Sequence, residues 1–193
     1  MTEIQKARLA TIVTLVERKP RIGRSVLMKL CYFLQTLRNV PLGYRFTLYS
    51  YGPFDSNVLS DLASAESFGG LHSDIVLHSN SYTYEIAPST KSDSLKAWAA
   101  DFIKHYDSDF NWVLNEFGDW ESGDLELLST IVYVDRESEG ASEKLSQGAL
   151  VQKVLDVKPR FEEAYIREKV KDLASLDLLQ NLGATSARSS AAY

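Results

Sequence analysis

Few residues in this chain have side chains that could carry a reaction, and they are scattered. The segment "HYDSDF" brings together His105, Asp107 and Asp109, whose side chains can ligate divalent metals. Their spacing suits an extended loop rather than one helical face, and no second cluster completes a shell. The segment "GDWESGDLE" carries Asp119, Glu121, Asp124 and Glu126. Paired carboxylates do acid–base work only where a fold drives their pKa values apart; a solvated acidic loop leading into a helix is the plainer reading. His72 and His78 stand singly at the edges of two β-like runs and read as surface or capping groups. Cys31, the one cysteine, lies between Leu30 and Tyr32. A thiol acts as a nucleophile only when it is exposed and paired with a base, so Cys31 reads as a buried apolar side chain. Gly52 and Gly69-Gly70 are not followed by the Lys-Ser/Thr of a phosphate loop. The expectation is a non-enzymatic protein with no catalytic residues, no metal site and no cofactor.

Charge sets the next bound. The 193 residues carry a formal net charge of -5, with 45% hydrophobic and 24% charged residues. That is ordinary globular composition, and its acidic balance argues against a protein that coats nucleic acid. One local basic cluster stands out: Arg18, Lys19, Arg21 and Arg24 in "ERKPRIGR". These are the candidate phosphate-contacting residues, against a plainer reading as a solvated loop after the first helix. A second basic set at 158–171 is interleaved with acids and reads as an ordinary helix surface. A single cysteine suits a reducing compartment. The first residues include an acid and no long apolar core, unlike a signal peptide, and no stretch has the length of a membrane span. A cytoplasmic location and no membrane partner are expected.

The elements that must position these residues follow from periodicity. Residues 3–18 read as a helix, with Leu9, Ile12, Val13 and Val16 on one face. A second helix over 24–38 has a broad apolar face and reads as the central core helix. Residues 45–51 alternate like a short strand. Gly52 then allows a bend, Pro53 suits the first helical position, and Asp55 falls in the first turn, where its charge complements the helix dipole. On this reading "YSYGPFD" is a strand-to-helix joint, Tyr51 and Phe54 pack the corner, and the third helix covers 54–68. Two alternating runs, 71–78 and 82–87, are separated by Ser79-Asn80-Ser81 and read as a hairpin.

The order helix, helix, short strand, helix, hairpin is that of a winged helix-turn-helix domain, assigned to residues 1–90. "PSTKSDS" (88–94) reads as a linker. Residues 91–180 read as a helical C-terminal region packed on the first domain. They comprise one stripe through Leu95, Trp98, Ala99, Phe102, Ile103 and Tyr106, an aromatic acidic stretch, and helices from about 122, at 146–156 and at 161–178. Residues 138–144 read as a loop and 181–193 as a flexible tail. "LATIV" (9–13) is echoed by "LSTIV" (128–132), and "DLAS" recurs at 61–64 and 172–175. Coincidence and an internal repeat both stand open; a repeat makes the second half a degenerate helix-turn-helix. The fold class expected is therefore mainly α with a small β-hairpin.

Three segments resemble known families. "GRSVLMKLCYFLQ" followed by "PLGYRFTLYSYGPFDSNVLSDL" and "GGL" is similar to the Panacea-type antitoxin domain and to the YwgA-like bacterial proteins of unknown function. Leu27, Lys29, Leu30, Tyr32 and Phe33 look like the family's helix motif. Tyr51, Gly52 and Pro53 look like its Tyr-Gly-Pro motif, and Gly70-Leu71 like the close of the next helix. Leu48 and Tyr49 stand where those families usually carry a tryptophan. The likeness covers residues 20–75. It implies a protein that neutralises a toxin by direct contact, or an adaptor that delivers one to a protease.

Helix 54–68 carries Asp55, Asp61 and Glu66 and no Lys or Arg, and the 71–87 hairpin likewise has no Lys or Arg. A helix that reads the major groove needs cations for phosphates and bases. The leading expectation is a protein-interaction module whose candidate partner-binding residues are Tyr51, Phe54, Asp55, Asp61 and Glu66. The alternative is a winged-helix transcription regulator working through Arg18, Lys19, Arg21 and Arg24. Either could act as a homodimer.

Overall fold

A computed structural model describes residues 1–77, 82–138 and 144–183. His78 and the Ser79–Ser81 turn, most of the 138–144 loop and the end of the tail lie outside the described residues. The chain is mainly helical with two small antiparallel strand pairs. Its contacts divide it into two units, Met1–Glu126 and Leu127–Tyr193.

The first unit begins with α1 (Glu3–Arg18) and α2 (Arg24–Leu37). Thr2 caps α1 through a capping box with Gln5, satisfying end amides that the helix itself leaves open. The single apolar face expected for α1 understates its burial. Every residue from Leu9 to Val16 is buried, Thr11 and Thr14 included. The Thr14 hydroxyl is satisfied by donating to the Ala10 carbonyl at 2.7 Å. A helix enclosed on all sides needs cover on a second face, and α4 (Ser92–Ala97) and α5 (Ala100–His105) supply it, because α1 packs against both.

That packing corrects two expectations. The 88–94 segment is built into the unit rather than tethering two parts: the buried Ser92 hydroxyl donates to the Gly70 carbonyl at 2.7 Å. The single stripe expected over 95–106 is broken. α4 ends at its C-cap Trp98, α5 starts after Ala99, and α6 (Asp107–Phe117) follows Tyr106. The breaks turn successive short helices around α1, and α6 packs on α2, where Phe33 and Phe117 stack with centroids 4.1 Å apart.

After α2 the chain is extended but unpaired. Val40, Leu42 and Tyr44 alternate inward, and the Gln35 side chain stands in for a strand neighbour. Its amide donates to the Tyr44 carbonyl at 2.9 Å, and its oxygen accepts the Tyr44 amide at 2.8 Å. β1 (Thr47–Tyr49) and β2 (Gly52–Phe54) then form a tight antiparallel hairpin, with Leu48 opposite Pro53. α3 (Ser56–Ser67) leads to the long hairpin β3 (Leu71–Leu77) and β4 (Tyr82–Pro88). A bridge between Ile22 and Ile86 ties β4 to the loop joining α1 and α2.

α7 (Ser122–Glu137) crosses the division between units. In the second unit, α8 (Gln147–Val157) packs on α9 (Glu163–Ser175). The fully buried Asp135 carboxylate accepts the amides of Gln180 and Asn181 at 2.8 and 3.0 Å. Leu145, between α7 and α8, bridges Leu182 after α9.

The two units share details. All five residues of "LATIV" in α1 and of "LSTIV" in α7 are buried. α3 and α9 end alike: Gly69 (φ 76°) bonds back to the Glu66 carbonyl and Gly70 to Ala65, while Asp177 (φ 57°) bonds back to Ala174 and Leu178 to Leu173. Such left-handed caps close a helix by satisfying its last carbonyls. In each unit the segment between the first two helices also bridges a later segment, but Ile22–Ile86 is antiparallel and Leu145–Leu182 parallel. "DLAS", however, ends one residue before the C-cap of α9 but four before that of α3, so it falls most of a turn out of step.

Because α4 and α5 complete the burial of α1, a fragment of residues 1–90 is expected to show no cooperative thermal transition by circular dichroism. A transition as sharp as that of the full chain would contradict this packing.

Candidate functional site

Among the described residues, those with reactive chemistry do not converge. Cys31 is fully buried, and burial pushes its thiol far above the ordinary value, the opposite of an activated nucleophile. Asp107 accepts from Arg18, and Asp109 accepts from Arg38 Nε at 2.8 Å. The His105 ring sits edge-on against Tyr106 instead. His72 Nε2 lies 3.5 Å from Asp74 on the exposed side of β3. Asp119 pairs with Lys19, whose ammonium holds that carboxyl below its usual range. Asp124 lies in the first turn of α7 and Glu126 is buried. Among the described residues no group of His, Cys, Asp and Glu is arranged to hold a metal ion.

Three of the four residues in the basic cluster have acidic neighbours. Arg18 pairs with Asp107 and also donates to Asn111 at 2.7 Å. Lys19 Nζ lies 2.6 Å from Asp119, and Arg21 Nε 3.9 Å from Glu85. Arg24 differs. Its guanidinium stacks on the Tyr84 ring at 3.6 Å, its Nε is buried without a hydrogen-bond partner, and no carboxylate pairs with it among the described residues.

The acids of α3 are also held locally. Asp55 is the N-cap rather than a first-turn residue. It is 6% exposed and accepts the amides of Asn57 at 2.8 Å and Arg45 at 2.5 Å. Asp61 accepts from the Tyr44 hydroxyl at 2.9 Å. Burial raises its carboxyl above the ordinary range, against the opposing pull of that bond and of the Arg8 guanidinium. Glu66 accepts from the Ser73 hydroxyl. What α3 turns outward is Ser56, Asn57, Ser60, Ala63 and Ser67. The acidic face expected from composition is thus an uncharged, serine-rich one, because each carboxylate bends back to a donor of its own unit.

The Gly-Pro corner is also rearranged. Pro53 does not open a helix; it lies in β2, a short edge strand where a missing amide hydrogen costs no ladder bond. Ser50 and Tyr51 form the turn without positive φ, and Gly52 at φ 87° takes the strained position. The mirror-image turns usual in two-residue hairpins need positive φ in the turn itself; here the following glycine absorbs the twist. The Lys29 ammonium, on a residue 2% exposed, donates to the Pro53 carbonyl at 2.7 Å and fixes the hairpin to α2.

Between this hairpin and the first turns of α2 lies a cleft of about 690 Å³, within the range of small-ligand sites. Met28 of α2, Phe54 of β2 and Leu59 of α3 give it an apolar wall, and Arg24 and Ser25 line it at the start of α2. Tyr49 and Tyr51 form the rim and are 62% and 68% exposed. The cleft thus gathers Tyr51 and Phe54 from the expected partner-binding set and Arg24 from the basic set. Asp55, Asp61 and Glu66 are not among its lining residues. Sequence reasoning missed Met28, Leu59 and Tyr49. The usable signal was "YSYG", two aromatics flanking a serine before a glycine, which fits a hairpin tip as well as a strand end.

Gly52→Ala puts a Cβ at φ 87° and is expected to cost about 1–2 kcal/mol, read as a Tm lowered by several degrees in a thermal melt. An unchanged Tm would contradict the strained-turn geometry.

The chain matches no protein-family model and no curated protein.

Proposed function

We propose that this chain is a non-enzymatic protein-interaction module, antitoxin-like or a regulatory adaptor, that engages its partner at the α2–hairpin cleft. The observation that carries this reading is an apolar cleft rimmed by two exposed tyrosines that are held in place by a buried anchor. Exposed aromatic side chains on a rigid frame are what protein interfaces use as anchors. The separate settings of His72 and His105, the buried thiol and the paired acids support the non-enzymatic half of the reading.

On this proposal the first unit is a variant winged helix-turn-helix: α1, α2 and α3 form the helical part, β3 and β4 the wing, and the β1–β2 hairpin is inserted between α2 and α3. The second unit is a reduced copy without a wing. The shared left-handed caps support that descent. The DNA-reading alternative is disfavoured by the same geometry. Arg18, Lys19 and Arg21 are engaged by acids of their own unit, and the outer face of α3 carries no cation. No helix among the described residues is long and apolar enough to cross a membrane.

Co-expression with the product of the adjacent gene tests the reading, since toxins and antitoxins are usually encoded side by side. The wild-type chain is expected to co-purify with that product, and a Tyr49→Ala/Tyr51→Ala chain that still folds is expected to lose it. Retention by the double variant, or no association by the wild type, would count against the proposal.

A further inference from the structure

The cleft carries more than apolar area, because an arginine stands at its edge. Arg24 lines it, and no Asp or Glu is among its lining residues. Elsewhere in the basic cluster each cation faces an acid, whereas Arg24 has none. Stacking on Tyr84 fixes the plane of its guanidinium without neutralising it. An arginine fork held in one plane is pre-organised for a carboxylate, to which it can make two parallel hydrogen bonds. α2 adds to this field. Its N-cap is Gly23, which makes no side-chain cap, so its first amides stay open beside Arg24 and Ser25, at the positive end of the helix dipole. Beyond this charged end the walls are Met28, Phe54 and Leu59.

We infer that the cleft recognises an acidic segment of a partner polypeptide, seating a large apolar side chain against Met28, Phe54 and Leu59 and a neighbouring carboxylate on Arg24. Charge complementarity selects this occupant over a basic or neutral segment. A polypeptide also suits the exposed tyrosine rim, which offers contact surface beyond the reach of a single small acid. The inference rests on the reading of this cleft as the docking site.

Amide chemical-shift mapping on the ¹⁵N-labelled full chain tests it, because such spectra detect weak binding. The probes are a short peptide with adjacent Trp and Asp in a Gly-Ser frame, its Lys-for-Asp and Ala-for-Trp versions, and free 3-phenylpropionate. The Trp-Asp peptide is expected to shift the amides of Ser25, Tyr51 and Gly52 saturably. It should bind about tenfold tighter than the Lys version, the effect of one charge-assisted contact. Arg24→Gln should abolish that preference and Arg24→Lys keep part of it. Tyr51→Ala, at an exposed turn, should weaken both peptides equally. The Ala-for-Trp peptide should bind more weakly than its parent.

No saturable shift, equal binding of the Lys version, or a preference that survives Arg24→Gln in a folded chain would overturn the inference. Binding of 3-phenylpropionate as tight as that of the peptide would overturn the polypeptide occupant in favour of a small acid. Partner co-purification that depends on Tyr49 and Tyr51 while the peptides fail would refute this ligand chemistry alone. Acidic-peptide binding without such co-purification would refute the proposed function alone.

Discussion

The cleft depends on a buried ammonium. Lys29 sits in the middle of α2 among residues that are otherwise apolar, and its Nζ reaches the Pro53 carbonyl. Taking a charge out of water is expensive unless strong acceptors replace the solvent. The Pro53 carbonyl is one such acceptor, so the bond ties β2 to α2. Lys29 fixes the distance between helix and hairpin, Gly52 supplies the turn, and Asp55 caps α3 while holding the Arg45 amide before β1. These three constraints fall on both sides of one short hairpin. They keep Tyr49 and Tyr51 standing out over the cleft instead of collapsing into it.

The second organising feature is local neutralisation. The unit places Asp107, Asp119 and Glu85 against Arg18, Lys19 and Arg21, and turns the acids of α3 toward Asn57, Tyr44 and Ser73. Exposed pairs of this kind contribute little stability, but they change what a partner meets. The surfaces that look most charged in the sequence are partly discharged in the fold. Arg24, at the edge of an apolar cleft, keeps its charge. A basic cluster in which Arg18, Lys19 and Arg21 face acids is poorly suited to a phosphate backbone, whose binding draws on many cations at once.

Long periodic elements were legible in the sequence. α1 and α2 were placed to within a residue, and β3 and β4, α8 and α9 to within a few, because apolar spacing and helix ends determine such elements locally. The burial of α1 on all sides was not legible, since it depends on α4 and α5 folding back from residues far along the chain. Pro53 was misplaced for a physical reason. Proline suits both a first helical turn and an edge strand, and only the partner strand, three residues long, decides between them. The acids of α3 were legible as charges but not as directions. Whether Asp61 faces solvent or Tyr44 is settled by tertiary packing, because Gln35 and Arg8 hold the Leu42–Tyr44 segment against the helices. Of the cleft, Tyr51, Phe54 and Arg24 could be named from the sequence. Their meeting in one place could not, because the hairpin that gathers them was read as a joint.

The measurement that bears most directly on this account is amide hydrogen exchange, followed by mass spectrometry, on the free chain and on its complex with the protein that co-purifies. The account predicts protection on binding at residues 24–28 and 49–54, with exchange along the outer face of α3 and in β3 unchanged. Protection confined to α3 or to β3, with both cleft segments exchanging as in the free chain, would contradict it.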